Sequence, residues 1–204
     1  MFNTYPTNFQ KETFDDYRKP LFLYFLSCFK YDLEKRRMKK MKKIRFYFDS
    51  DGTLFEWDTH ASIEEVSSKG YFADRIPQQN VIDALKLLRE DDVELNILSA
   101  VFTDGHSIND KISCFKKHGL ENVHSIFVPY GENKSDYIHH SDKFLNILID
   151  DYTPNCMAWS DGIAVKIYNG INGTKGRWHG YRISSDMSPL QIRNTLLGIA
   201  MCEM

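Results

Sequence analysis

From residue 44 onward the chain is built on one repeated alternation. Short apolar runs at residues 44–48, 93–98, 125–128, 144–149 and 163–168 are separated by stretches of helical period or turn chemistry. A run that is apolar throughout, not at every second residue, belongs to a strand buried on both faces. Strands that alternate with helices build a parallel sheet covered on both sides. The helical signals agree. Val81, Ala84, Leu85 and Leu88 form an i, i+3, i+4, i+7 stripe. Residues 108–118 read as a helix stopped by Gly119. Thr153-Pro154 reads as an N-cap with proline behind it, and Ser188-Pro189-Leu190-Gln191 is a capping box opening a last helix from 189 to about 201. The expected architecture is therefore α/β with a parallel five-stranded sheet.

In an open α/β sheet, ligands collect outside the carboxyl ends of the strands. Here those ends carry chemistry. The first run ends in Asp49-Ser50-Asp51-Gly52-Thr53, the second in Ser99, and the fourth in Asp150-Asp151. A short loop after the third reaches Lys134. Two carboxylate pairs, a hydroxyl and an ammonium thus converge on one rim. Taken alone, Asp49-Ser50-Asp51 also suits an Asx-turn that merely closes a strand. The second acidic pair weakens that reading. Four carboxylates on one rim repel each other unless a cation neutralises them, and Mg²⁺ suits oxygen donors.

The order of these motifs resembles the haloacid dehalogenase superfamily of phosphotransferases. Its motifs are matched by Phe46-Tyr47-Phe48-Asp49-Ser50-Asp51-Gly52-Thr53, by Leu95-Asn96-Ile97-Leu98-Ser99, by Lys134, and by Leu148-Ile149-Asp150-Asp151. Receiver domains use similar residues, but their acidic pair comes first and the phosphorylated aspartate stands alone on a later strand. A finer resemblance is to the 5′(3′)-deoxyribonucleotidase-like branch. It rests on Phe127-Val128-Pro129-Tyr130-Gly131, on Ile149-Asp150-Asp151-Tyr152-Thr153-Pro154-Asn155, and on Asn169-Gly170-Ile171-Asn172-Gly173. It covers residues 44–183.

The resemblance implies a three-layer Rossmann-like fold with a small helical cap at about residues 54–78, inside a phosphatase domain spanning 44–204. It implies a Mg²⁺-dependent phosphomonoester hydrolase acting through an aspartyl phosphate, with a nucleoside monophosphate as substrate. Another small or nucleic-acid-end phosphate is the alternative within this class. Asp49 would be the nucleophile. Asp51 would be general acid and then base. Gly52, Thr53, Ser99, Ala100 and Lys134 would bind phosphate. Asp49, Asp151, Asp150 and the backbone carbonyl of Asp51 would surround the metal, with Asp151 preferred over Asp150 as direct ligand. In the cap segment Phe55, Trp57, Tyr71 and Phe72 could stack on a base at ~1–3 kcal/mol each, or form the cap's own core. Trp57 is the better candidate for the substrate pocket, with Phe55 beside it.

Residues 1–43 read as a separate extension. Residues 21–29 are apolar, and residues 30–45 hold nine basic and two acidic side chains. Three readings stand: an over-long start, since Met38 and Met41 precede the first strand; a helix packed on the domain; or a surface anchor for anionic lipid or nucleic acid. That anchor makes a non-catalytic binding protein the alternative from a different class. The rest of the chain carries 17 basic and 26 acidic residues. An acidic body disfavours non-specific nucleic-acid binding by the core. This run of nine residues, interrupted by Ser27, is too short to span a bilayer, so no transmembrane segment is expected. Cys28, Cys114, Cys156 and Cys202 form no CxxC pair, which argues against a zinc knuckle and for a cytoplasmic setting.

Overall fold

The structure is a computed structural model that describes residues 42–204 apart from 104, 174 and 175. The readings of the extension therefore lie outside the described residues, except where its end meets the first strand. Residues Lys42–Met204 form one compact unit.

Six strands make a single sheet: β1 (Lys43–Phe48), β2 (Val93–Val101), β3 (His124–Pro129), β4 (Phe144–Asp150), β5 (Ile163–Tyr168) and β6 (Tyr181–Ser184). Every pairing is parallel, in the order β3-β2-β1-β4-β5-β6. The sheet thus has six strands where the sequence predicts five. The sixth escapes the apolar signal because it is a four-residue edge strand with one buried side chain, Ile183. A lone inward residue cannot produce a run.

Side chains of successive strand residues point to opposite faces. Phe46 and Phe48 enter one buried cluster with Ile97, Ile147, Ile149 and Val165. Tyr47 enters a smaller one on the other face with Leu98, Leu148 and Trp159. The larger face is covered by helices α2 (Gln79–Leu88), α3 (Ser107–Lys117) and α5 (Pro189–Glu203), which supply Leu85, Phe115 and Leu196 to its core. The smaller face receives α4 (Thr153–Ala158) and a 3-10 turn at Lys134–Tyr137. These layers make the three-layer, Rossmann-like fold. The expected stripe of α2 is fully buried. The capping box at Ser188 and Gln191 is formed as expected. At α4 the cap position is Tyr152, and Thr153 is already helical.

Between Thr53 and α2 lies a small helical segment, with helix α1 (Ile63–Val66) and a 3-10 turn at Tyr71–Asp74. It is tied down on α3. The Gly70 N–H donates to Asp110 at 2.6 Å, and Lys117 donates to the Ala73 carbonyl at 3.1 Å and to Asp74. No described helix is long and apolar enough to cross a membrane.

Candidate active site and metal centre

The strand order reverses beside β1: β2 and β3 lie on one side, β4 to β6 on the other. The crevice at such a switch point is where ligands of open α/β sheets bind. Asp49 leaves β1 there, its N–H still donating to Ile149 of β4 at 2.9 Å. The chain then turns sharply. Ser50 accepts from the N–H groups of Leu54 and Phe55, and Gly52 adopts φ +83°. This turn puts Asp51 over the crevice, on the cavity wall.

Asp49, Asp150 and Asp151 are all buried, and ligand oxygens from the three lie within 4.8 Å of one another. Lys134, 4% exposed, donates to Asp49 Oδ1 at 2.5 Å and to Asp150 Oδ2 at 2.6 Å. Asp150 also receives the Tyr152 N–H on Oδ1 at 2.8 Å and Asn155 on Oδ2 at 3.0 Å. Asp151 Oδ2 receives Asn169 at 2.9 Å and Asn172 at 2.5 Å. Asp49 Oδ2 and Asp151 Oδ1 have no donor among the described residues.

The electrostatics follow. Burial pushes Asp49 well above the usual carboxylate range. Lys134 opposes this, while Asp150, Asp51 and Asp151 add to it. Asp151 is pushed up to about 6 by burial and by Asp150, against the bonds from Asn172 and Asn169. Burial alone would lower Lys134, but Asp150 and Asp49 outweigh it and hold it above the ordinary lysine value. Buried, mutually repelling carboxylates with two oxygens left open are a fit for a hard cation such as Mg²⁺. The fit is better at Asp49 and Asp151 than at Asp150, whose oxygens are both taken.

A cavity of about 270 Å³ opens over these groups. Asp49, Asp51 and Asp151 line it, and Trp57, Phe72, Phe102 and Tyr130 supply aromatic wall. Ala100 also lines it. Six sequence-predicted site residues do not line it: Lys134 and Asp150, buried behind Asp49, and four more. Phe55 is a core residue, 1% exposed, stacked 5.9 Å from Phe115. The Gly52 N–H is spent on the Phe55 carbonyl at 2.7 Å. Thr53 is fully buried, and its hydroxyl has no partner among the described residues. Ser99 is fully buried beneath the cavity.

Sequence reasoning missed Lys111. It is 1% exposed, and its ammonium donates to Asp51, to Ser99 Oγ at 2.7 Å and to the Ala100 carbonyl at 2.7 Å. The signal was available: Lys111 shares the inward stripe of α3 with Ser107, Cys114 and Phe115, where a lysine has no place unless it is paired. Asn169 and Asn172 were legible as a motif but had no assigned role. Lys166, fully buried in β5, was also missed; it donates to the Asp151 carbonyl.

No protein-family profile matches this chain, and no curated protein matches it. Among solved structures, an uncharacterized protein from Listeria monocytogenes serotype 4b is similar with a TM-score of 0.52 and 11% identity, over 78% of this chain and 99% of that one. A chain of the Pnkp1/Rnl/Hen1 complex is similar with a TM-score of 0.47 and 12% identity, over 61% of this chain and 46% of that one. The present chain thus spans less than half of that second protein's length. The Listeria likeness is one of fold.

Proposed function

We propose that this chain is a Mg²⁺-dependent phosphomonoester hydrolase of the haloacid dehalogenase type, working through an aspartyl phosphate on nucleoside monophosphates. One observation carries the reading. Asp49 has one oxygen fixed by Lys134 and the other open toward a cavity, beside Asp151 at a sheet switch point. That is the posture of an oriented carboxylate nucleophile.

The open oxygen of Asp49 bonds to phosphorus as the bond from phosphorus to the ester oxygen breaks. Asp51 gives that leaving oxygen its proton. Asp51 then takes a proton from water, the water oxygen bonds to phosphorus, and Asp49 is released. Lys134 keeps one N–H beyond its two carboxylate bonds, enough to meet one phosphate oxygen as a point charge. The Ala100 N–H, on the cavity wall, meets another. Asp49 and Asp151, with the Asp51 carbonyl, would hold Mg²⁺, which would neutralise phosphate charge. Asp150 fixes Lys134 and is not itself a ligand. The nucleotide preference rests on the aromatic wall, above all Trp57, Phe102 and Tyr130, which suits the flat face of a base. Cys114, Cys156 and Cys202 are free thiols, and a reducing cytoplasm suits them.

Phosphate release from an aryl phosphate, with Mg²⁺ and with excess chelator, tests the activity. A panel of nucleotides and sugar phosphates then tests the substrate. Turnover that survives chelation would overturn the metal role. No turnover on any phosphomonoester would overturn the enzyme reading and favour a binding protein.

A further inference from the structure

We propose that Lys111 is a positioning residue that aims Asp51 at the reacting oxygen, and that Ser99 acts by holding Lys111 and not by binding phosphate. The inference rests on the phosphatase reading for the task of Asp51. Its geometry stands independently.

An ammonium has three N–H donors. Those of Lys111 have three protein acceptors: Asp51 Oδ2, Ser99 Oγ at 2.7 Å and the Ala100 carbonyl at 2.7 Å. The Phe72 ring closes the remaining approach, with its centroid 4.5 Å from Nζ. Lys111 therefore has no donor to offer a substrate. Lys134 differs: among the described residues it has two acceptors and one N–H to spare. The two buried lysines thus divide the work, and only Lys134 is free to meet phosphate.

The chain of contacts fixes a direction. Ser99 and Ala100 sit on β2, an interior strand paired on both sides, so the ammonium is anchored to the sheet. Lys111 in turn holds Oδ2 of Asp51, leaving Oδ1 as the oxygen without a donor among the described residues. Asp51 lines the cavity and sits on a glycine turn, where its side chain would otherwise choose among rotamers. Holding one oxygen selects the rotamer that faces the substrate, and such orientation accounts for a large share of rate enhancement. Stability is a poor explanation for this lysine. Well-packed apolar residues commonly replace buried ion pairs at no cost, and Phe72 already offers an apolar neighbour.

The test is a double-mutant cycle on the full chain with Mg²⁺, reading the single-turnover phosphoryl-transfer rate and KM on an alkyl phosphate. Lys111→Met keeps the length of the side chain and removes its donors. It should slow transfer about 10–10²-fold with KM within about threefold of wild type. In the Asp51→Asn background the same change should add less than about threefold, because nothing remains to be aimed. Ser99→Ala should slow transfer about 3–10-fold alone and have no further effect beside Lys111→Met. A large rise in KM with transfer intact would make Lys111 a phosphate ligand and overturn the proposal. So would a full-sized loss in the Asp51→Asn background. Should Lys111→Met not fold, Lys111→Gln carries the same cycle. Wild-type protein inactive on every phosphomonoester is a different outcome: it overturns the phosphatase reading, and the role of Lys111 falls with it.

Discussion

Replacing Gly52 with alanine tests the turn that assembles the acidic rim. Gly52 has φ +83°, a region that costs an L-residue about 1–2 kcal/mol. Strain is the smaller part. A methyl group at this position would lie 2.2 Å from Asp151 Oδ2, 2.5 Å from its Cγ and 2.7 Å from its Oδ1. Ordinary contact begins near 3.4 Å, so the carboxylate must retreat by roughly 1 Å or the turn must open. Retreat is resisted, because Asn169 and Asn172 both hold Oδ2. Breaking one such bond to a charged group costs about 1.5–3 kcal/mol. The expected loss of stability is therefore about 2–5 kcal/mol. The expected loss of turnover is about 10²-fold, the usual effect of a displacement near 1 Å at a reacting centre. Urea unfolding gives the first quantity and aryl-phosphate hydrolysis the second. Calorimetric titration with Mg²⁺ supplies a third reading, since a displaced Asp151 should bind the ion at least about tenfold more weakly. Gly52→Ala protein with wild-type Mg²⁺ affinity and turnover would refute the reasoning: neither the close approach nor the placement of Asp151 would then matter to the site.

Four further outcomes are expected. Asp49→Asn should reduce turnover to background while leaving the urea midpoint equal or higher, because it removes one of three crowded carboxylates and Lys134 keeps Asp150. Phe55→Ala should cost about 3–5 kcal/mol of stability as a core truncation, whereas Trp57→Ala should spare stability and raise KM for nucleotides, a contrast that melting curves and kinetics read side by side. In metal-free protein, folding favours protonated Asp151, held at about 6 against an ordinary 3.8. Its contribution is present below about pH 4 and lost as pH rises through 6, so the urea midpoint should fall across that window, less so in Asp151→Asn, and Mg²⁺ should restore it at pH 7. A chain beginning at Met41 should fold and keep its turnover, since Lys42–Met204 is a compact unit; an insoluble product would assign residues 21–29 to the core.

Legibility in the sequence tracked the number of buried neighbours a segment has. Strands β1, β4 and β5 lie inside the sheet, so they are mostly apolar and their bounds could be read to within a residue, whereas β2, also interior, runs three residues past the predicted end at 98. Strand β6 at the edge has one inward side chain, and no periodicity exists in a single point. The same physics divides the aromatics after the first turn. Phe55 and Trp57 are two residues apart in a non-repetitive segment, and only the fold shows that Phe55 stacks on Phe115 while Trp57 lines the cavity. The motif residues could be listed from sequence, but their pairing could not. Strand order decides which ends are adjacent, and nothing in a linear sequence states that β1 lies between β2 and β4.

That pairing locates the charge. Four carboxylates converge, and the described lysines divide them unequally. Lys134 takes Asp49 and Asp150, Lys111 takes Asp51, and Lys166 reaches only the backbone carbonyl of Asp151. The Asp151 carboxylate is left with two neutral amides, which orient it without cancelling its charge. Uncompensated negative charge is therefore concentrated between Asp151 Oδ1 and the free oxygen of Asp49. Asp151 Oδ1 beside the Asp49 carboxylate offers hard, buried oxygens of the kind a small divalent cation takes, with waters and a phosphate oxygen left to complete its shell. The lysines thus do more than neutralise: by occupying three of the four carboxylates, they leave Asp151, beside Asp49, as the place where a cation would fit.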